Sequence, residues 1–351
     1  MQTIIADIQE FRGNHYDYGI RQAEWLKETP YMENRAYEWI KRRPKFDLDY
    51  KETKELYMRF APYIWDELMG IQDQLKITDR EVLLNLAHYR VSPRDSGCSV
   101  YLDNNNFIRN YDYHPNTYDG MYKLFQPDKG FAHIGPASRV TGRMDGMNEH
   151  GLIMSYNFMN RKQPFDGFTC FIIGRFILEV CRNADDAKQL LKELPHRGGF
   201  SYIVQDKNNE SFIAETSARD IAFRQANICT NHYETLDKEN RRYLVDSLER
   251  LTILEGFSAP SKEELIELFT DRKYGLFVDN YKSWAGTIHT SFYDKSNLIA
   301  GIRLGENTVL DEFDFGAWLK GNPIGQKEIK GSLDTGLKFT NADWQTAKNR
   351  I

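Results

Sequence analysis

The chain has 351 residues, 41% of them hydrophobic and 28% charged, a balance that suits a soluble globular protein with one large core or two modest ones. A net charge of −5 gives no basis for nucleic-acid or membrane-surface binding, so neither is expected as a partner. No stretch approaches a transmembrane span, and the N-terminus lacks the charged-then-apolar pattern of a signal peptide.

The four cysteines, Cys98, Cys170, Cys181 and Cys229, are scattered and include no CxxC, which argues against a disulfide scaffold and for a reducing cytoplasm. The histidines show no HxxxH or HExxH spacing, and no GxGxxG or GxxxxGK run occurs. No metal and no cofactor is therefore expected. The high aromatic share, with 20 Tyr and 21 Phe, is assigned to a β-rich core.

Along the chain, a short extended start and the turn Gly13-Asn14 precede a helix-compatible segment from Tyr16 to Arg43, interrupted at Pro30. Lys51 to Gln74 carries Leu56, Phe60, Ile64, Leu68 and Ile71 at helical spacing, and Pro62 should start a second helix there or kink the first. Thr78 to Glu81 is a capping box ahead of Val82 to Leu86. Residues 1–97 thus read as mostly helical, closing in a loop from Ser92 to Gly97. Strands are predicted over Ser138–Met144 and Gly151–Phe158, around a turn at Asp145–His150. Helices follow over Phe171–Arg182 and Asp185–Leu194, with Asn183 as cap. Four short strands between Phe200 and Thr230 lead to helices over Glu239–Leu254 and Ser261–Leu268. A hairpin turns at Asp294-Lys295, and beyond about Gly305 the pattern is weak and polar. Blocks of strands alternating with blocks of helices indicate an α+β layered fold rather than repeating βαβ units.

The stretch Ser96 to Pro115 carries the chemistry. Cys98 to Leu102 is β-prone, Asp103 to Asn106 is a cluster of turn residues, and Phe107 to Tyr111 resumes the extended character. This is a hairpin signal that returns Arg109 and Asp112 towards Cys98, with several registers open. A cation near a thiol favours the nucleophilic thiolate. If the Gly97–Cys98 bond were cut, Cys98 would also own an α-amine with a pKa of about 7.7–8.0, able to act as base near neutral pH. Against this stands the plainer reading of a cysteine that starts a strand, a small buried hydrophobe. A third reading is an uncut Cys/His enzyme with His114 or His232 as base.

Several blocks resemble the penicillin acyltransferase family (acyl-coenzyme A:6-aminopenicillanic acid acyltransferase and relatives), N-terminal-nucleophile hydrolases related to choloylglycine hydrolases and penicillin V acylases. Pro62 to Ile71 with Thr78 to Asn85 is similar to the family's propeptide, and Gly97-Cys98 to its self-cleavage point. Arg109-Asn110-Tyr111-Asp112 is similar to its R-N-x-D signature, and Gly146 to Leu152 with Ser155 to Phe158 to its N-E-x-G-L block. Thr230-Asn231-His232 and Asn240-Arg241-Arg242-Tyr243 are similar to two later blocks.

The resemblance implies a four-layer αββα sandwich of N-terminal-nucleophile hydrolase type. It implies cleavage into a helical propeptide or α-chain, 1–97, bound to a catalytic β-chain, 98–351. Cys98 would be nucleophile and its amine the base, with Arg109 and Asp112 as electrostatic partners. Asn231 and the backbone N–H of Asn157 would donate to the oxyanion, and Arg242 would support the site; on the residues alone Tyr156 is a core side chain. The implied activity is hydrolysis of a linear amide C–N bond in a small acyl-amide or penicillin-like substrate through a Cys98 thioester. Transfer of the acyl group to an amine, or an uncut binding protein on the same fold, are the alternatives.

Overall fold

The computed structural model describes residues 1–42, 47–90, 97–159, 164–240, 245–257, 260–282, 285–306 and 309–342. Strand β1 (Gln2–Gly13) leads into helices α1 (His15–Lys27), α2 (Tyr31–Arg42), α3 (Tyr50–Phe60), α4 (Pro62–Leu75) and α5 (Asp79–Asn85). Pro62 occupies the first turn of α4, where its missing N–H costs nothing, and α3 ends at Phe60. Thr78 and Glu81 close the capping box of α5 in both directions.

The hairpin β2 (Gly97–Leu102) and β3 (Phe107–Tyr113) is followed by β4 (Met121–Pro127), β5 (His133–Ser138), β6 (Gly142–Arg143), β7 (Asp145–Asn148) and β8 (Ile153–Phe158). Helices α6 (Cys170–Val180) and α7 (Ala184–Glu193) come next, α7 capped by the Asn183 side chain. Strands β9 (Phe200–Gln205), β10 (Ser211–Thr216), β11 (Ile221–Arg224) and β12 (Ile228–Cys229) precede α8 (Val245–Glu255) and α9 (Lys262–Thr270). The chain finishes with β13 (Gly286–Asp294), β14 (Ile299–Leu304), β15 (Asp311–Asp314), α10 (Phe315–Leu319) and β16 (Glu328–Leu333).

Among the described residues the strands form two sheets, with orders β11-β10-β9-β8-β7-β5-β4-β1-β16 and β12-β2-β3-β13-β14-β15. The sheets face each other where β2 meets β8 and β13 meets β7. Helices α6 and α7 cover the outer face of the larger sheet, and α8 and α9 that of the smaller. This is the expected αββα sandwich. No described helix is long and apolar enough to cross a membrane.

Three expectations from the sequence need correction. The run 138–144 is no single strand: β5 ends at Ser138 and a tight turn separates it from β6. Asp145–Asn148, read as a turn from its Asp, Gly and Asn, is strand β7, because Asp145 is satisfied by side chains rather than by the local backbone. The segment beyond Gly305 contains β16, which pairs with β1, so long-range pairing overrides its weak local pattern.

The short extended start is a twelve-residue strand inside the larger sheet, parallel to β4 on one side and antiparallel to β16 on the other. Helices α1 and α4 then lie against α6 and β4. Tyr18 stacks on Phe125 at 3.9 Å, and a buried charge cluster joins the N-terminal segment to the rest. Arg175 pairs with Glu67 (2.9 Å) and Glu179 (2.6 Å), while Glu179 also meets His15 (2.5 Å). Lys123 donates to Gln22, which donates in turn to Glu67 at 2.6 Å.

Two glycines allow α1 and α4 to approach closely. A Cβ on Gly19 would lie 2.1 Å from the Glu67 carbonyl oxygen, and one on Gly70 equally close to that of Tyr16. Gly70→Ala must therefore separate the helices and pull Glu67 off Arg175. We expect a loss of about 3 kcal/mol in urea denaturation at unchanged m-value, whereas a change below about 0.5 kcal/mol would show that this crossing is loose.

Candidate active site

The hairpin that carries Cys98 has a single register. Asp103 Oδ1 accepts from the backbone N–H groups of Asn105 and Asn106, both at 2.8 Å, forming the turn. Cys98 then pairs with Tyr111, Val100 with Arg109, and Gly97 with Asp112. Strand periodicity sends Cys98, Val100, Tyr111 and Arg109 into the layer between the sheets. It sends Tyr101 and Ile108 to the second core, under Leu254, Leu265 and Phe269. Both strands are buried throughout, because both faces of the smaller sheet are covered.

Arg109 crosses the inter-sheet layer. Its Nη1 donates to Asp145 Oδ2 at 2.6 Å, and its Nη2 to the Tyr156 carbonyl at 2.5 Å and to Cys98 Sγ at 3.3 Å. The guanidinium is flanked by the rings of Tyr111 (4.7 Å) and Tyr156 (5.2 Å). Asp145 also accepts from Tyr293 OH at 2.5 Å and from His289 Nε2 at 3.2 Å. Burial lowers the pKa of His289, so the ring is neutral and Nε2 carries the proton it gives to Asp145. Burial alone would raise Asp145, but His289, Arg109 and Tyr293 reverse this and hold it well below the usual carboxylate range. The charge beside the thiol is thus fixed in place. Even so, burial pushes the Cys98 thiol up to about 11, with Arg109 offsetting part of the effect. Cys98 is thus a neutral, enclosed thiol.

The backbone of Cys98 is held from the other side. Its N–H donates to Asn231 Oδ1 at 2.8 Å, and Asn231 Nδ2 donates to the Phe158 carbonyl at 2.8 Å. Arg250, from α8, donates to the Cys98 carbonyl (2.7 Å), to Ser99 Oγ (2.7 Å) and to Asn231 Oδ1 (2.9 Å). Asp112 lies across from Gly97, with Oδ1 accepting from Thr287 Oγ1 at 2.7 Å. Its Oδ2 is buried with no partner among the described residues, and burial raises its pKa.

Of the residues singled out in the sequence, Cys98, Arg109, Asp112 and Asn231 converge on one end of the hairpin. Asn157 converges differently from expectation. Its Nδ2 donates to the carbonyls of Cys229 (2.9 Å) and Thr230 (3.1 Å), securing the strand end that precedes Asn231. Its backbone N–H points into the β8–β9 ladder, on the same edge as Met159, whose N–H donates to Gly199 O at 3.1 Å. The carbonyls of Tyr156 and Phe158 take the opposite edge, past the last β7 partner at Ser155, where they meet Arg109 and Asn231. The Asn157 backbone amide is therefore turned away from the thiol. Tyr156 packs in the core.

Arg241, Arg242 and Tyr243 lie outside the described residues, as does the loop from Ser92 to Ser96. His114 Nδ1 accepts from Asn116 N at 3.3 Å and His232 Nδ1 pairs with Ser247 Oγ at 2.9 Å, so each ring has a local structural partner. Asp145, His289, Tyr293 and Arg250 were not anticipated. For Arg250 a signal existed: Ser247, Arg250 and Leu254 recur at helical spacing on one buried face of α8. Among the described residues no cluster of three or more His, Cys, Asp or Glu side chains could hold a metal.

The family model for acyl-coenzyme A:6-aminopenicillanic acid acyl-transferase matches residues 102–308, more than half of the chain, beginning just past Cys98. No curated protein matches. Among solved structures, a penicillin V acylase from Agrobacterium tumefaciens is 13% identical, with 63% of this chain and 86% of that chain covered at a TM-score of 0.44. A mutant conjugated bile acid hydrolase from Clostridium perfringens is 12% identical, with 69% and 98% covered at a TM-score of 0.42. An N-acylethanolamine-hydrolyzing acid amidase ortholog from Caenorhabditis elegans is 11% identical, with 57% and 93% covered at 0.39.

The geometry ranks the supports of Arg109. Asp145→Ala strands a buried guanidinium and should cost about 3–5 kcal/mol, whereas Tyr293→Phe removes one hydrogen bond to the carboxylate and should cost about 1–3 kcal/mol. Equal losses for the two variants in chemical denaturation would mean that Asp145 is not the counter-ion on which Arg109 depends.

Proposed function

The chain belongs to the acyl-coenzyme A:6-aminopenicillanic acid acyl-transferase family, and we propose that it is a self-processing cysteine amidohydrolase with Cys98 as nucleophile. One observation carries the reading. The Cys98 nitrogen already rests on Asn231 Oδ1 at 2.8 Å while its sulfur lies 3.3 Å from Arg109 Nη2. Cutting the preceding peptide bond would leave an amine and a thiol on one residue, each facing its own partner.

In the cutting step the Cys98 sulfur attacks the Gly97 carbonyl, and the C–N bond breaks as the thiol proton passes to nitrogen. Water then hydrolyses the resulting thioester, leaving a Gly97 carboxylate and a Cys98 ammonium. Asp112 supports this outcome. Its carboxylate is buried opposite Gly97 with Oδ2 unpartnered among the described residues, an arrangement that a new cation beside it would relieve. The enclosed thiol and its high pKa belong to the form before the cut.

After cutting, the sulfur attacks a linear amide carbonyl of a small acyl-amide substrate, and its proton moves through the α-amine to the departing nitrogen. Arg109 favours the thiolate, and Asn231 Nδ2, turned from Phe158 O, donates to the oxyanion. Water, activated by the amine, releases the acid. The acyl-transferase activity for which the family is described favours a second reading, in which an amine takes the place of water as acyl acceptor.

Intact-mass spectrometry under denaturing conditions tests the first step. The wild type should give chains 1–97 and 98–351, still associated in native gel filtration, and Cys98→Ala a single chain. An uncut wild type would end the N-terminal-amine mechanism. In the cut enzyme, acid release from an amide such as penicillin V should exceed acyl transfer to added amine; the reverse ratio would establish the acyltransferase. Cys98→Ala should lower either activity by about a thousandfold or more.

A further inference from the structure

Away from the thiol, a cavity of about 390 Å³ opens beside α2, and its lining shares no residue with the set around Cys98. Arg35, Glu38 and Lys41 line it from one face of α2, and Arg139 enters from the turn between β5 and β6. That turn is strained. Arg139 and Val140 both take left-handed backbone angles, with φ of 55° and 70°, which a β-branched residue rarely adopts. The surroundings enforce it: Arg139 N–H donates to Asp119, Arg139 O pairs with His88 Nε2 at 3.1 Å, and Val140 O accepts from Lys123 Nζ at 2.7 Å.

The strained turn brings a second guanidinium to a carboxylate that already has one. Glu38 Oε2 lies 2.5 Å from Arg35 Nη1 and 3.5 Å from Arg139 Nη1. Arg35 is 2% exposed and Arg139 6%, and Arg35 Nε is buried with no partner among the described residues. Burial and the charge of Arg139 together lower Arg35 to about 10. With Lys41 at the rim, three cations face the cavity. Among the described residues, Glu38 on the wall and Asp119 behind Arg139 supply two negative charges against these three positive ones.

We propose that this cavity is a binding site for a small carboxylate monoanion, held by Arg35 and Arg139. A single negative charge completes the balance among the described residues, whereas a phosphate dianion would reverse its sign. The planar guanidinium fork also matches a carboxylate edge. The volume lies within the range of small-molecule pockets.

The test is calorimetric titration of the full chain with sodium benzoate as probe, and with chloride and inorganic phosphate at matched ionic strength. Benzoate should bind saturably to wild type and to Cys98→Ala alike. Arg35→Gln should weaken it about tenfold, the loss of one charge-assisted contact. Lys41→Gln, at an exposed position that the fold does not depend on, should weaken it about threefold and keeps the test valid if Arg35→Gln fails to fold. The proposal is overturned if benzoate shows no saturable binding, if phosphate binds more tightly, if binding is lost in Cys98→Ala, or if folded arginine and lysine variants bind as wild type does.

Discussion

The arrangement around Cys98 depends on one buried ion pair. Arg109 belongs to the smaller sheet and Asp145 to the larger, and their 2.6 Å contact spans the layer between them. An ion pair in that position is not there for stability, since two well-packed apolar side chains would serve as well or better. What it does is aim. Asp145, with His289 and Tyr293 on its remaining lone pairs, leaves Nη1 no alternative partner, and Nη2 is thereby directed at the Tyr156 carbonyl and the Cys98 sulfur. Three of those supporting groups come from β7 and β13, so the smaller and larger sheets jointly set the position of one cation beside one thiol.

A second consequence is a division of labour across the hairpin. Cys98 sends its side chain inward to Arg109, while its backbone is gripped by Asn231 and by Arg250 from the outer helix layer. The thiol and the backbone nitrogen of Cys98 are thus positioned by different layers. Asn110, between Arg109 and Asp112, faces outward and ties the hairpin to α9 and the following loop through the carbonyls of Phe269 and Leu276. Within the signature stretch Arg109 and Tyr111 thus face the layer between the sheets, while Asn110 and Asp112 take the other face, as strand periodicity requires.

Local signals in the sequence were legible where the backbone decides. Pro62, the Thr78 capping box, the Asn183 cap and the Asp103–Asn106 turn all act within a few residues, and all appear as read. Cys98, Arg109 and Asp112 were legible because a hairpin makes sequence neighbours spatial neighbours. Asp145 was not, for its partners lie 36, 144 and 148 residues away and its own neighbourhood looks like a turn. Arg250 was masked by habit, since an arginine on an amphipathic helix usually faces water; only its spacing with Ser247 and Leu254 marks it as buried. The pairing of β16 with β1, across more than 300 residues, has no local signature at all.

That pairing bears on what a cut between Gly97 and Cys98 would accomplish. A propeptide that leaves must have a surface of its own, but β1 is hydrogen-bonded on both edges within the larger sheet. Glu67 and His15 are likewise the carboxylate and imidazole facing the buried Arg175 and Glu179. Releasing residues 1–97 would open two ladders and strand those charges in an apolar core, a far greater cost than hydrolysis of one peptide bond could offset. Cleavage in this architecture would therefore work by local change at the hairpin end, freeing the Cys98 nitrogen and uncovering its sulfur, while the severed segment would remain a structural part of the folded molecule.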